Sequence, residues 1–292
     1  MADVPYPTLP PDLYGPPWAA TGQSCSALDA ALGPLLVRAG QEALSRFGRS
    51  DATRKGDGSP VTEADAAAQD VLVAGLRALF PDDSILAEEG YALHQGPRTW
   101  MVDPLDGTAA FSEGLAHWGP VVARTQAGTA DLAALYLPRL REYYYVERGV
   151  GAFRNGAPLP TLPQERRLSR LSVLYVPSRL HAGANLDWPG KTRCLGSVGA
   201  HLALVAAGAG SAALIPPGWQ AWDTAAGLAL IEAVGGAAVL PDGTPLLPDA
   251  HAGLPFLAGE LSALGWLTQP GRLTARVAPG VLDDRTRPLD RA

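Results

Sequence analysis

The first eighty residues contain two segments in which apolar positions recur at helical spacing. Leucines three or four residues apart predict a helix over residues 26–47. A second amphipathic helix is predicted over 62–80, where Thr62 and Asp65 have the spacing of a capping box. The stretch between them, 48–60, is rich in Gly, Asp and Ser, which is typical of a mobile loop.

Short apolar runs separated by turn residues predict a group of strands in the middle of the chain. The first two runs are each followed directly by an acidic residue, so each places a carboxylate at a strand end. The predicted strands are 84–87, 99–102, 117–124, 131–137 and 142–146.

The second half of the chain alternates between strand-like and helix-like segments, which favours an α/β lobe. The order is strand near 171–176, helix near 199–207, strand near 211–215, helix 223–234 and strand 237–240. A proline-containing connector at 157–169 precedes this lobe. The predicted organisation is therefore an N-terminal α+β lobe (1–160), a C-terminal α/β lobe (161–275) and a charged tail (276–292). Within the first lobe, the proline-rich residues 1–20 predict an extended arm.

Composition and charge narrow the classes of partner. Of the 292 residues, 47% are hydrophobic and 18% charged, which is typical of a globular chain. The net charge of -6 and the lack of a basic stripe argue against a nucleic acid polymer as partner. A small phosphorylated substrate remains compatible, because a bound cation can reverse the local field. The longest apolar stretch, 202–215, is too short to span a membrane.

The chain has two cysteines, Cys25 and Cys194, and neither has another cysteine nearby in the sequence. This argues against a disulfide framework and against a structural zinc site. A reducing, cytoplasmic setting is therefore expected.

The strongest chemical signal is the sequence DPLDGT at residues 103–108. Hard cations such as magnesium prefer oxygen ligands, and two metals about 3.5–4 Å apart can share one carboxylate. Asp103 is the candidate bridge, with Asp106 on one side of it. Backbone N–H groups after Gly107 would face a phosphate at the start of a helix. The alternative is an ordinary turn at a strand end.

Two other acidic segments are candidate metal ligands because of where they lie relative to the predicted strands and helices. Glu88 and Glu89 follow the predicted strand 84–87, and adjacent glutamates point in different directions, so one of the two is expected to bind metal. Asp223 lies in the sequence WDTAAG at the predicted start of a helix, where an ordinary N-cap is the alternative. The same position would aim its carboxylate at a metal in a cleft between the lobes.

The order of these motifs resembles the inositol monophosphatase superfamily of lithium-sensitive, magnesium-dependent phosphatases. The resemblance covers about Lys55 to Gly236 and rests on Lys55, Asp65, Glu88-Glu89, DPLDGT, GAFRNG, GSVG and WDTAAG. It implies a five-layer αβαβα sandwich shared with fructose-1,6-bisphosphatase, and commonly a homodimer. The implied activity is hydrolysis of a small phosphorylated alcohol, such as an inositol phosphate, by a metal-activated water. Two or three Mg²⁺ ions would take part, and lithium would inhibit.

The resemblance also implies roles for individual residues. The metal ligands would be four carboxylates and one main-chain carbonyl: those of Glu88, Asp103, Asp106 and Asp223, and that of Leu105. The catalytic residues would be Glu88, Asp65 and Thr108, which together hold and orient the attacking water. The candidates for contact with the substrate or its phosphate are Gly107, Thr108, Lys55, Ser197 and His201. For His201 the alternative is a packing role, and for Lys55 a solvated side chain.

The departures from the family pattern lie in residues that would contact the alcohol portion of the substrate. The glutamate that contacts inositol in the family is replaced by Pro216, seven residues before Asp223. The family's alanine pair is Val198-Gly199 here, and its usual polar residue after DGTx is Ala110. All the expected metal ligands are thus present, whereas residues expected to contact the alcohol are replaced. Trp219 and Gln220 would offer an aromatic face and an amide to the leaving group.

Several alternatives remain open at this point. WDTAAG and SPVTEAD resemble the bacterial 3′(2′),5′-bisphosphate nucleotidase branch, and residues 178–181 resemble that branch and the histidinol-phosphatase branch. A haloacid-dehalogenase-like phosphatase would need its aspartates two residues apart, whereas here they are three apart. A metal-binding regulatory relative without turnover would have no chemical need for Asp65 and Thr108. The three consecutive tyrosines at 143–145 are expected to be two-faced strand residues.

Overall fold

A computed structural model describes residues 25–48, 53–54 and 60–275. The predicted arm (1–20), the predicted tail (276–292) and most of the predicted loop, including Lys55, lie outside the described residues.

The described residues form seven helices. The predicted helices 26–47 and 62–80 are confirmed as α1 and α2, the two longest. The helices are α1 (Ala27–Arg46), α2 (Glu63–Leu79), α3 (Thr108–Ser112), α4 (Leu180–Gly183), α5 (Val198–Ala206), α6 (Ala221–Ala233) and α7 (Leu261–Leu267).

Seventeen strands occur in the same residues, and most of the longer ones match the predicted segments. In chain order they are β1 (Thr53–Arg54), β2 (Pro60–Val61), β3 (Ser84–Ala87), β4 (Ala92–Leu93), β5 (Thr99–Asp106), β6 (Gly119–Gln126), β7 (Thr129–Leu137), β8 (Glu142–Glu147), β9 (Gly151–Arg154), β10 (Ala157–Pro158), β11 (Val173–Tyr175), β12 (Ala184–Leu186), β13 (Lys191–Arg193), β14 (Ala212–Ile215), β15 (Ala237–Val239), β16 (Phe256–Gly259) and β17 (Leu273–Ala275).

Two large sheets organise the fold. The first has eight strands in the order β10-β9-β8-β7-β6-β5-β3-β4, and its β3 and β5 run parallel. The second has five strands in the order β13-β11-β14-β16-β15, of which β13, β11 and β14 are parallel. The parallel strands therefore end at common edges, where the loops that follow them meet.

The helices cover both sheets and fill the space between them. One core joins α1 and α2 to the first sheet through residues such as Leu36, Leu72 and Trp100. A second core lies between the sheets and contains α5 and α6, and a third packs α7 on the outer face of the second sheet. The predicted five-layer αβαβα sandwich is confirmed.

The start of α2 is fixed by hydrogen bonds between residues close together in the sequence. Thr62 is the N-cap, and its hydroxyl accepts a hydrogen bond from the Ala64 amide. Asp65 accepts from both the amide and the hydroxyl of Thr62, each at 2.7 Å. The predicted capping box is confirmed, and it uses a buried carboxylate.

The two cysteines are free thiols in different settings. Cys25 is half-buried against Asp29, and burial together with the Asp29 carboxylate raises the pKa of its thiol to about 12. Cys194 is exposed, with its Sγ 3.2 Å from the Ser178 hydroxyl. Among the described helices, none has both the length and the apolar character that a membrane span requires.

Candidate active site

The DPLDGT sequence forms the end of β5 and contains a β-bulge. Asp103 pairs with Val121 of β6, and Asp106 pairs with Gly119, so β5 carries one extra residue between them. Residues three apart in a regular strand point to opposite faces, and one inserted residue returns them to the same face. The bulge therefore explains how Asp103 and Asp106 come together, and why β5 is longer than the predicted strand 99–102.

Asp103 lies at the centre of a group of carboxylates. It is buried, and its Oδ1 accepts a hydrogen bond from the Leu105 amide at 2.9 Å. Burial raises its pKa well above the ordinary value, and the charges of Glu88, Asp106 and Asp223 raise the pKa further. A hydrogen bond between the carboxyl groups of Asp103 and Glu88 acts in the same direction. The structure thus places the other three carboxylates named from the sequence within electrostatic reach of Asp103.

Asp106 connects the first sheet to the start of α5. Its carboxylate accepts hydrogen bonds from the Ser197 hydroxyl at 2.5 Å and from the amides of Gly199 at 2.6 Å and Val198 at 3.2 Å. Burial raises the pKa of Asp106 to about 6, although these three hydrogen bonds act against the rise. Ser197, a predicted phosphate contact, is buried and directs its hydroxyl to Asp106.

Asp65 and Thr108, the two residues expected to orient the attacking water, are in direct contact. Thr108 Oγ1 donates a hydrogen bond shared between Asp65 Oδ1 at 3.0 Å and the Leu105 carbonyl at 3.1 Å. Burial raises the pKa of Asp65, and hydrogen bonds from Thr62 and Thr108 oppose that rise. The capping box of α2 therefore fixes the carboxylate that positions Thr108.

A residue of α2 that the sequence analysis missed, Gln69, holds the turn after β3 in place. Gln69 of α2 holds the main chain of Glu89: its Oε1 accepts from the Glu89 amide at 3.1 Å and its Nε2 donates to the Glu89 carbonyl at 3.4 Å. Glu88 is half-buried and its amide donates to the Val102 carbonyl of β5. Gln69 lies four residues after Asp65, one helical turn further along the same face of α2, and that spacing was the available signal.

Asp223 enters the site from α6. The helix begins two residues earlier than predicted, with Gln220 as its N-cap, so Asp223 is the third helical residue and not the cap itself. Its Oδ2 accepts from the Gln220 amide at 2.7 Å, as in a capping box. The N-cap alternative for Asp223 is therefore wrong, since Gln220 holds that position, and the Asp223 carboxylate lies within electrostatic reach of Asp103.

Gly107 joins β5 to α3 in a conformation suited to glycine. Its φ is 87°, and a Cβ at this position would lie 3.0 Å from the His117 carbonyl and 3.0 Å from the Ser197 Cβ. No larger residue fits without displacement of these neighbours. The predicted helix start after Gly107 is confirmed at Thr108.

His201 occupies a packing position. Its Nε2 accepts a hydrogen bond from the Leu195 amide at 2.9 Å, and its ring stacks on Tyr175 with a centroid distance of 5.3 Å. The imidazole is buried, and burial lowers its pKa to about 4. This geometry supports the packing alternative and gives the ring a neutral form that holds the segment before α5.

The prediction that Trp219 offers an aromatic face to the substrate is wrong. Trp219 is buried in the core between the sheets, donates from Nε1 to the Leu254 carbonyl at 2.6 Å and packs edge-on against Phe256. Gln220 is exposed and Pro216 half-buried. The prediction for the three tyrosines is confirmed: Tyr143 and Tyr145 face one core, and Tyr144 faces the other.

The donor chemistry of this cluster fits a hard divalent cation. It offers carboxylate and carbonyl oxygens, which Mg²⁺ prefers, and a cation would relieve the repulsion that raises the pKa of Asp103. In the described part of the chain, however, no three His, Cys, Asp or Glu side chains form a ready-made metal cage. Hydrogen bonds already engage oxygens of Asp106 and Asp223.

These features define a class: αβαβα sandwich proteins with an acidic cluster where the ends of β3 and β5 meet the first turns of α5 and α6. The family model described as the inositol monophosphatase family matches residues 26–269. The chain belongs to the inositol monophosphatase family, whose members are phosphatases.

Individual relatives agree with this assignment. A histidinol-phosphatase of Chlorobaculum parvum is 33% identical over 213 residues, which cover 69% of this chain and 81% of that protein. A fructose-1,6-bisphosphatase/inositol-1-monophosphatase of Thermotoga maritima is 34% identical over 219 residues, covering 69% and 80%. The solved structure of an IMPase from Thermotoga maritima has a TM-score of 0.71 at 29% identity, covering 80% of this chain and 92% of that one.

Proposed function

We propose that this protein is a magnesium-dependent phosphomonoester hydrolase that acts on small phosphorylated alcohols, among them inositol phosphates. The observation that carries the proposal is the buried Asp103, surrounded by the carboxylates of Glu88, Asp106 and Asp223. Such a group is strongly unfavourable at neutral pH unless cations compensate it. A site that concentrates negative charge in this way suits metal-assisted attack on an anionic phosphate ester.

The residues that would hold two or three Mg²⁺ ions are Glu88, Asp103, Asp106 and Asp223, with the Leu105 carbonyl. When bound, Mg²⁺ would lower the pKa of water and stabilise charge on the ester oxygens. Thr108 directs its hydroxyl proton to Asp65 and Leu105, so its oxygen is left as an acceptor that can orient a water. Asp65 acts through Thr108, because its own oxygens accept from Thr62 and Thr108.

The phosphate would lie at Gly107 and Thr108, where the main chain turns from β5 into α3. Glycine at 107 permits the left-handed turn, with a φ of 87°, that joins these two elements at the site. Lys55 remains a candidate phosphate contact. We further expect a homodimer, inhibition by lithium and a cytoplasmic location. The last agrees with the two free thiols.

Direct attack by water predicts a single displacement at phosphorus. Hydrolysis of a chirally labelled phosphate ester should therefore invert the configuration, and no phosphorylated enzyme should accumulate. Retention of configuration would indicate a covalent intermediate and would contradict the proposed mechanism.

Substrate choice is expected to be broad. Pro216 has neither donor nor acceptor in its side chain, and the indole of Trp219 is turned into the core, so neither can recognise ring hydroxyls. The test compares kcat/KM for inositol 1-phosphate, adenosine 3′,5′-bisphosphate and histidinol phosphate at one Mg²⁺ concentration. A preference of about 100-fold for inositol 1-phosphate, roughly 2.7 kcal/mol of discrimination, would contradict this expectation. A bisphosphate nucleotidase or a histidinol-phosphatase would be revealed by an equally large preference for its own substrate.

A further inference from the structure

The first turn of α5 makes three hydrogen bonds to a single carboxylate, that of Asp106. Ser197 Oγ and the Gly199 amide both donate to Oδ2, at 2.5 Å and 2.6 Å. The Val198 amide donates to Oδ1 at the longer distance of 3.2 Å. An ionised carboxylate has about four lone-pair positions, two on each oxygen. Oδ2 therefore has both positions filled, and Oδ1 keeps one position for another partner.

Two further contacts show that this arrangement depends on the residue types present. Ser197 is buried and its hydroxyl also accepts from the Ala200 amide at 2.9 Å, so the hydroxyl proton is directed to Asp106. A Cβ on Gly199 would lie 2.7 Å from Asp106 Oδ2, closer than a real Cβ atom approaches. The hydroxyl and the missing side chain together allow α5 to approach the carboxylate this closely.

We propose that Ser197 is a positioning residue for the cation site: with Gly199 it immobilises Asp106 Oδ2 and leaves Oδ1 as the single coordinating atom of this carboxylate. The inference rests on the proposed function, in which Asp106 is a metal ligand. It replaces the phosphate contact expected for Ser197 from the sequence. Hydrogen bonds that orient a ligand of this kind typically change metal affinity by about 10–100-fold.

Ser197→Gly tests the proposal without a large cost to the helix. Glycine is a nearly adequate N-cap, so this change removes the donor to Asp106 while α5 keeps most of its stability. Ser197→Thr keeps the hydroxyl and should keep the metal affinity. Ser26→Gly is the matched control, because Ser26 is also an N-cap and also donates to a carboxylate, Glu147, at 2.6 Å. Ser26 caps α1 and Glu147 ends β8, whereas the acidic cluster is carried by β5, α6 and the residue after β3.

The measurement is Mn²⁺ binding to each variant, followed by electron paramagnetic resonance of the free ion. For Ser197→Gly we expect at least one class of sites to weaken about tenfold or more, with Ser197→Thr and Ser26→Gly unchanged. The Mg²⁺ concentration for half-maximal hydrolysis should rise in parallel.

The outcomes separate this inference from the proposed function. Wild-type protein that binds no Mn²⁺ would remove the proposed metal site itself. Wild-type protein that binds Mn²⁺, with a folded Ser197→Gly variant that binds it equally well, would overturn only the role of Ser197. Loss of affinity in Ser197→Thr as large as in Ser197→Gly would also overturn it, since the donor would then not be the cause.

Discussion

At the scale of single residues, Asp103 combines burial with the charges of three neighbouring carboxylates. Asp103→Asn removes one ionisable carboxyl from this group and also removes the proposed bridge. In EDTA at pH 7.5 the melting temperature should therefore rise above that of the wild type, because repulsion is reduced. Activity should fall to background, and the rise in melting temperature on addition of Mg²⁺ should be blunted. Thermal unfolding with and without Mg²⁺ and a phosphatase assay measure these effects.

Asp103→Asn is informative in both directions. Undiminished activity would remove the two-metal interpretation. A lower melting temperature in EDTA would show that repulsion among these carboxylates does not limit the stability of the metal-free protein.

His201 predicts a pH dependence of stability whose sign follows from its lowered pKa. The folded state keeps the ring neutral down to about pH 4, whereas an unfolded histidine takes up a proton near pH 6.5. The contribution of His201 to the free energy of unfolding is thus fully present above pH 6.5 and is lost as the pH falls towards 4. The loss is at most about 1.4 kcal/mol per pH unit. Urea unfolding at pH 7.5 and pH 5 in EDTA measures it.

The comparison variant is His201→Gln, whose side-chain carbonyl can accept from the Leu195 amide but does not titrate. Its loss of stability between the two pH values should be smaller than that of the wild type. The exposed His181→Gln should behave like the wild type. Equal losses in all three proteins would mean that His201 is not held neutral by the fold.

The residues of this site differ in how far the sequence could reveal them. The four carboxylates lie in recognisable motifs, and in the structure the other three are within electrostatic reach of Asp103. Trp219 was predicted wrongly and His201 was left with two alternatives, because their roles depend on residues distant in sequence: Leu254 and Phe256 for the indole and Tyr175 for the imidazole. Gln69 was missed because a four-residue spacing from Asp65 is common on helices and does not by itself mark a functional residue.

At the scale of elements, the first turn of α2 links helix stability to the catalytic pair. Thr62→Ala removes the N-cap hydroxyl and one of the hydrogen bonds that fix Asp65. The free energy of unfolding should fall by about 1 kcal/mol. The kcat value should fall by about tenfold or more, because Asp65 would no longer hold Thr108 in place. Urea unfolding and steady-state kinetics measure the two effects.

Thr62→Ser is the control, since it keeps the hydroxyl and should keep both stability and kcat close to the wild-type values. If Thr62→Ala loses stability but turns over normally, the capping box is structural only and Asp65 is positioned by other contacts.

The full length of strand β5 and its bulge could not be predicted from the sequence. The apolar run predicted only residues 99–102, because Asp103 and Pro104 interrupt it. The strand continues because its partner β6 supplies a register in which one bulged residue is accommodated. Pro104, which has no amide hydrogen to donate, falls at this irregularity. A bulge is a property of two paired strands, so one strand's sequence does not determine it.

At the scale of the whole molecule, the acidic cluster draws its groups from both sides of the fold. Glu88 follows β3 and Asp103 and Asp106 lie in β5, both strands of the first sheet, whereas Asp223 belongs to a helix that packs between the sheets. Cations held by this group should therefore stabilise the entire folded chain by mass action. Calorimetry should show one unfolding transition whose midpoint temperature rises with Mg²⁺. The free energy of unfolding should increase by about 2.7 kcal/mol when the Mg²⁺ concentration is 100 times the dissociation constant.

Sodium chloride at matched ionic strength is the control, because screening alone would also reduce repulsion among carboxylates. An equal shift with sodium chloride would assign the effect to screening. A Mg²⁺ shift that persists in Asp103→Asn at full size would place the cation elsewhere.

The unequal environments of the two thiols make the folded chain selective towards sulfhydryl reagents. Cys25 stays protonated at neutral pH and half-buried, whereas Cys194 is exposed. A colorimetric thiol assay should therefore count one fast sulfhydryl in the native protein and two in denaturant. A fluorophore attached at Cys194 would lie three residues before the cap of α5, in an otherwise unmodified chain. Its emission would provide an optical signal of cation binding at Asp106.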